Sequence, residues 1–244
     1  MIKIEHEVFP SPEQMIFVIE GMRNPMNSWD NSDSYPAVNC GGCPYNPAVT
    51  GMCEPAKHRE ECSKHECFAI GPNDMNLMKR LRNAGSDHRK FMRMMPVYIR
   101  ITAPLYWWKE FDTYKVATVA NSCSTMHKIQ SKEFKLDDFS TEHLSDISLE
   151  GFKKLIEYLE VLRTAYLSTK VEDTNAIMTK KDIWWQMIQL LPSSYNQTRN
   201  VMLNYEVLAN MYKSRINHKL DEWREFCKWM ETIPYHELIV SDAK

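Results

Sequence analysis

No stretch of the sequence reaches the ~18 to 20 consecutive apolar residues of a membrane-crossing helix. An excess of one charge sign is also lacking. The 30 Lys+Arg stand against 32 Asp+Glu, a formal net charge of −2, so there is no strong nucleic-acid signal and no case for an anionic-membrane binder. Glycine is scarce at 7 and proline moderate at 12, which excludes collagen-like, linker-like and low-complexity classes. Met1-Ile2-Lys3-Ile4-Glu5-His6-Glu7 carries acids where a signal peptide carries a basic head and an apolar run. The expectation is a soluble, cytoplasmic protein with no membrane partner. Standard catalytic signatures are absent: no G-x-G-x-x-G, no phosphate-cradling G-x-x-x-x-G-K-S/T, no H-E-x-x-H and no G-x-S-x-G.

What is present suits a globular chain. With 244 residues, 43% apolar and 25% charged, it can bury a sizeable core. The 16 Met and 7 Trp suggest bulky, adaptable packing. Neither an internal repeat nor a linker is visible, so residues 1–244 read as a single domain.

Of the 7 cysteines, Cys40, Cys43, Cys53, Cys62 and Cys67 crowd one stretch, while Cys123 and Cys227 stand alone. An odd total without an export signal argues against a disulfide framework. The cluster reads C-x2-C-x9-C-x8-C-x4-C, and its first pair has zinc-knuckle spacing. Cys40, Cys43, Cys62 and Cys67 are therefore candidate zinc ligands, with His58 and His65 as further donors. The other reading is a reduced, metal-free insertion. Gly41, Gly42, Pro44, Pro47, Gly51 and Pro55 make residues 36–68 a loop-like insertion.

Periodicity places the elements. Met15–Ile19 fits a buried strand or a helix turn. Asp74–Ala84 reads as a helix capped by Asn73 or Asp74 and ended by Gly85. Val97–Thr102 alternates as a half-buried strand ended by Pro104. Residues 148–168 form an amphipathic helix that Ser148 would cap, with Phe152, Leu155, Ile156, Leu159, Leu162 and Tyr166 on one face. Residues 182–191 form another helix, stopped at Pro192. A last long helix is expected from about Val201 to Thr232, with Leu208, Met211, Arg215, Trp223, Cys227 and Met230 as its stripe. The pattern is α+β, with helices dominating the C-terminal half.

Two segments invite chemistry. One is His88 to His127, a strand followed by an aromatic and polar loop. Within it, Cys123 and His127 offer a nucleophile and a base without a third group; a buried thiol near a surface histidine is the plainer reading. The other is the C-terminal helix. At ~100° per residue, Asn204 and Arg215 fall within ~20° on one face, and Asn210 projects roughly 120° away. Polar groups within an apolar stripe need partners or a ligand. An interhelical hydrogen-bond network is one outcome; an anionic nucleotide on Arg215 is the other.

These segments resemble the flavin-dependent thymidylate synthases. The family pattern N-x-R-S-L-x-H/N-F-x-x-x-R, followed by H-A-Q-x-E-I-R, is matched without a gap at Asn204, Leu208, Asn210, Arg215, His218, Glu222 and Arg224. Leu191-Pro192 and Thr198 resemble the family's upstream L-P and T. Gly85, His88 and the strand into Ala103-Pro104-Leu105-Tyr106 resemble its glycine-histidine, strand and A-P-I-F. The signature R-H-R-x-x-S-x-x-x-x-S-x-R-Y corresponds to Thr113-Tyr114-Lys115, Thr118, Cys123, Thr125 and Met126. The likeness covers roughly residues 70–235, with an echo near Arg23, and omits the cysteine-rich stretch. It identifies a divergent relative.

The resemblance implies the family's fold, an antiparallel or mixed sheet packed with long helices. It implies a homotetramer with active sites between subunits, FAD as cofactor, NADPH and methylenetetrahydrofolate as co-substrates, and one-carbon transfer to C5 of dUMP or a related pyrimidine nucleotide. Residue by residue, it places His88, Tyr114, Lys115, Asn204 and Asn210 at the cofactor. It places Asn121, Ser122, Cys123, Ser124, Thr125 and Arg215 at the nucleotide. The alternative is a non-catalytic nucleotide-binding or regulatory protein on the same fold, with a structural metal in the cysteine-rich loop.

Overall fold

The computed structural model describes residues 1–38, 66–170 and 178–240. In chain order the elements are β1 (Lys3–Val8), α1 (Pro12–Arg23), β2 (Tyr35–Val38), β3 (Glu66–Ala69), α2 (Pro72–Asn83), a 3-10 segment (Arg89–Met94), β4 (Pro96–Pro104), α3 (Leu105–Phe111) and β5 (Val119–Ser122). They continue with α4 (Thr125–Lys128), α5 (Asp146–Ser168), α6 (Lys180–Leu190), β6 (Asn196–Asn204), α7 (Tyr205–Arg215) and α8 (Asp221–Met230). The α+β class expected from the pattern is what the chain adopts. No helix among the described residues is long and apolar enough to cross a membrane.

Four strands form one antiparallel sheet in the order β1-β4-β6-β5. Period-two alternation sets its faces. Val97, Ile99, Ile101 and Ala103 of β4, with Val201 and Leu203 of β6, are buried on one side. The other side carries Tyr98, Arg100, Thr102, Thr198 and Asn200, with a 2.7 Å hydroxyl pair between Thr102 and Thr198. The buried side packs on α1, α3, α7 and α8 in a core centred on Trp107, Trp108, Phe111, Trp223 and Phe226. Trp107 lies 4.9 Å from Trp108 and 4.8 Å from Trp223, ring centre to ring centre. A second cluster joins Ile129, Phe134 and Phe139 to Ile156, Leu159 and Leu162 of α5 and to Ile183 and Met187 of α6.

The structure decides one open reading and corrects some helix boundaries. Met15–Ile19 lies in α1, where Ser11 and Gln14 form a capping box and Pro12 opens the first turn. Helix α2 starts at Pro72 with Gly71 as its cap, not Asn73 or Asp74. Asp74 instead turns inward, fully buried, and accepts from Arg23, Ser32 and Ser34. Gly85 follows α2 with φ of 116°, the left-handed geometry that favours glycine. Helix α5 is capped by Ser145, whose hydroxyl accepts from the Ser148 amide, so Ser148 lies inside the helix.

The largest correction concerns the C-terminus. The single helix expected over Val201–Thr232 is a strand and two helices. Residues 196–204 pair with β4 along their whole length. Asn204 then caps α7, its Oδ1 accepting from the Val207 amide at 3.0 Å. The chain breaks again between Arg215 and Asp221. The stripe from Leu208 to Met230 therefore belongs to two packed helices, and the one-face relation of Asn204 to Arg215 does not hold.

The cysteine-rich insertion is entered and left by a two-stranded pair: Val38 stands opposite Glu66 and Tyr35 opposite Ala69. Cys40, Cys43, Cys53 and Cys62 lie outside the described residues. Cys67 sits half-buried in β3. Among the described residues no group of metal-ligating side chains gathers around it.

Candidate functional site

Helix α7 and the loop that follows α3 form the centre of the candidate site. At the end of α7, the Arg215 Nε donates to the Tyr114 hydroxyl at 3.0 Å, and an Nη donates to Glu110 at 2.7 Å. Its guanidinium lies 4.8 Å from the Trp223 ring centre, a cation–π contact with a desolvated indole. Glu110 also accepts from the Trp223 indole at 2.9 Å and lies 3.4 Å from the His218 ring nitrogen. At the other end of α7, the Asn204 amide donates to the Val116 carbonyl at 3.4 Å. The loop thus runs along α7, with Tyr114 at one end and Val116 at the other.

The loop itself is strained. Ala117 adopts φ of 53°, a left-handed conformation that side-chain-bearing residues rarely take. The neighbouring Thr118 hydroxyl is buried without a hydrogen-bond partner among the described residues. Orphaned buried polar atoms of this kind call for a ligand or water. Lys115 is exposed and makes no side-chain bond among the described residues. Asn210 is half-buried on α7 and is likewise unengaged.

His88 is exposed immediately before the 3-10 segment. Its neighbour Arg89 reaches Glu206, in the first turn of α7, at 3.2 Å. The cofactor-side residues expected from sequence thus divide between the loop (Tyr114, Lys115) and the start or middle of α7 (Asn204, Asn210), with His88 on the segment that pairs to α7.

The nucleotide-side residues do not all join them. Asn121 and Ser122 lie on the edge strand β5, both exposed, opposite Asn200 and Arg199. Cys123, Ser124 and Thr125 open instead into a cleft of about 350 Å³, within the size range of small-molecule sites. Thr102, Thr198, Lys128 and Lys132 also line it. The cleft sits at the Asn196 end of β6. Asn204 is at the other end, roughly 25 Å along a nine-residue strand. Arg215 does not line this cleft.

Cys123 is exposed rather than buried as expected, because it follows the edge strand β5, and its carbonyl accepts from Gln197 at 3.3 Å. The His127 amide donates to the Ser124 hydroxyl. No Cys123–His127 hydrogen bond forms among the described residues, so the nucleophile-and-base pair is not assembled. Two other matched motif positions serve the fold: Glu222 accepts from Tyr106, and Arg224 donates to the carbonyls of His218 and Lys219.

Sequence reasoning missed Glu110, Trp223, Glu206, Arg89 and Arg93 as site residues. The run His88-Arg89-Lys90 with Arg93 was a readable basic signal. Glu110 carried none, because only the fold brings it to Arg215, 105 positions away.

No protein-family model and no curated protein matches the sequence. Solved structures do match. The flavin-dependent thymidylate synthase ThyX of Helicobacter pylori, complexed with FAD and dUMP, aligns with TM-score 0.57 and 14% identity over 98% of this chain and 97% of its own. A second structure of that enzyme with FAD and dUMP gives 0.54 and 15% over 97% and 94%. The UMP/dUMP methylase PolB of Streptomyces cacaoi, bound with 5-Br dUMP, gives 0.50 and 12% over 95% and 89%. This chain has the flavin-dependent thymidylate synthase fold over nearly its full length.

Proposed function

We propose that this chain carries out flavin-dependent one-carbon transfer to C5 of a pyrimidine deoxynucleotide, dUMP or a related nucleotide. One observation carries the reading. Tyr114, expected at the cofactor, and Arg215, expected at the nucleotide, are 101 residues apart and meet at 3.0 Å beside a strained loop with an orphaned hydroxyl. The fold adds support, since two proteins that share it were solved with FAD and dUMP or with a dUMP analogue.

The residues present suit a flavin. His88, Lys115 and Asn210 have unengaged polar groups, the Thr118 hydroxyl lacks a partner, and Tyr114 offers a ring. FAD would supply the redox chemistry that the side chains lack. His88, Tyr114, Lys115, Asn204 and Asn210 would hold and orient it. Arg215 and Asn121–Thr125 would bind the nucleotide, while Lys115 replaces a planar guanidinium with a point charge. NADPH and methylenetetrahydrofolate would be the co-substrates.

The assembly would be a homotetramer with active sites between subunits, as the resemblance implies. In this reading residues 1–244 form one cytoplasmic domain, and the cysteine-rich loop with Cys40, Cys43, Cys62 and Cys67 is an insertion that the resemblance does not cover.

The test is an absorbance spectrum after incubation with FAD and desalting. Retained flavin bands, shifted on addition of dUMP, are the expected result. A flavin-free protein with stoichiometric zinc would overturn the reading in favour of a nucleotide-binding or regulatory protein with a structural metal.

A further inference from the structure

Glu206 is almost fully buried, with a side chain 4% exposed, and it takes two arginines. Arg89 Nε lies 3.2 Å away. Arg93 approaches through Nε and through an Nη at 3.3 Å. One arginine neutralises one carboxylate, so the second is surplus to the ion pair. Both cations reach the surface, with side chains 28% and 43% exposed. Both Arg89 Nη groups and one Arg93 Nη make no hydrogen bond among the described residues.

The surroundings keep the excess positive. Asp87 acts on Arg93, but Lys90 offsets it in the same run, and Glu206 marks the N-terminal turn of α7, the positive end of the helix dipole. Two guanidinium groups fixed by a common buried carboxylate are pre-organised donors, so little side-chain entropy is lost when an anion arrives. Their planar forks match phosphate oxygens.

We infer that Arg89 and Arg93, held by Glu206, form a phosphate-binding site for a nucleotide ligand of this chain. The site adds fixed positive charge to a chain in which Thr113 and Tyr114 stand at the arginine and histidine positions of the signature. That the phosphate belongs to FAD or to the pyrimidine nucleotide rests on the function proposed above; the anion site itself does not.

The experiment uses the full chain and the triple variant R89Q/R93Q/E206Q, which removes both cations without leaving a buried charge unpaired. R89K/R93K is the partner variant, keeping charge without the fork. Circular dichroism and melting temperature check folding. Binding of FAD, riboflavin, dUMP, deoxyuridine and inorganic pyrophosphate is measured across a salt series.

The expected result is at least a tenfold loss of affinity for one phosphorylated ligand in the triple variant, a shallower salt dependence, and partial recovery in R89K/R93K. Loss for FAD with riboflavin unchanged assigns the flavin phosphates. Loss for dUMP with deoxyuridine unchanged assigns the nucleotide phosphate. Unchanged FAD, dUMP and pyrophosphate affinities in a folded triple variant would overturn the inference while leaving the proposed function intact. If the wild type binds neither flavin nor nucleotide, the proposed function fails. Pyrophosphate then decides the site: salt-sensitive binding lost in the triple variant supports it, and no binding to the wild type overturns it.

Discussion

Asp74 and Glu206 are both buried carboxylates that accept from arginine, yet their surroundings differ in one respect. Arg23, the partner of Asp74, is itself sealed, its side chain 5% exposed. One of its Nη groups donates to the Ser28 carbonyl and hydroxyl. The second Asp74 oxygen takes Ser32, Ser34 and the Asp33 amide. Both charged side chains are sealed, although Ser32 beside them is exposed. Glu206 is sealed in the same way, but its arginines are not. The difference teaches that ion pairing alone does not separate scaffold from site. Exposure of the cation does, because only an exposed guanidinium can meet a ligand. Glu110 with Arg215 falls between them, with side chains 35% and 19% exposed.

The strongest test of this contrast is Asp74→Asn. It leaves the Arg23 cation buried without its counter-charge, and losses of this kind run about 3 to 5 kcal/mol. A urea midpoint close to that of the wild type would break the comparison at its structural end.

Acid sharpens the same end. Burial alone would raise the Asp74 carboxyl, but hydrogen bonds from Ser34 and Ser32 and the Arg23 guanidinium hold it below its ordinary value. A lowered folded-state value stabilises the fold above the unfolded carboxylate range, and that stabilisation is lost as pH falls through the lower folded value. Urea midpoints between pH 6 and pH 2.5 should therefore fall on acidification, and Asp74→Asn should flatten that part of the slope.

Glu206→Gln is expected to destabilise by less, about 1.5 to 3 kcal/mol for the charge-assisted bonds removed, because Arg89 and Arg93 can turn to water. Thermal melting compares it with Asp74→Asn; equal losses would erase the distinction. The smallest stability change is expected at Glu110→Gln, within about 1 kcal/mol for a partly exposed pair. Its larger effect should be on binding. With the carboxylate gone, Arg215 meets an anion without opposing charge, so dUMP should bind more tightly, read by calorimetry and by Trp223 fluorescence. An unchanged dUMP affinity would place Arg215 with the scaffold pairs.

Local features were legible where the determinant is itself local. The β4 alternation from Val97 to Thr102 and the α5 stripe both appear where the periodicity predicts. The α5 cap moved from Ser148 to Ser145 because both serines stand near the helix start, and only the backbone geometry chooses between them. The C-terminal reading failed for a different reason. Residues 201–204 read as the start of that helix, but β4 offers residues 196–204 a partner along their entire length. Pairing with a strand about a hundred residues away overrides local preference. Asn204, read as one polar residue in a helical stripe, became the cap that turns that strand into α7.

The candidate site divides in the same way. The motif residues Asn204, Asn210 and Arg215 were visible because they stand at fixed spacing along one segment, and Tyr114, Lys115 and Cys123–Thr125 because a signature orders them. Their grouping was not visible. Tyr114 and Arg215 come together, while Cys123–Thr125 line a cleft that neither of them lines. Glu110 went unnoticed because an acid in an aromatic helix has no local mark of its partner.

By itself the sequence determined the α+β class, the helix and strand periodicities, the absence of a membrane-crossing apolar run and the residue types available for chemistry, since these depend on composition and short-range spacing. Only the tertiary structure decided which charges are sealed and which remain open. Burial is a property of elements packed against one another, and Glu206 becomes a site rather than a scaffold pair only because the segment bearing Arg89 and Arg93 lies at the surface over α7.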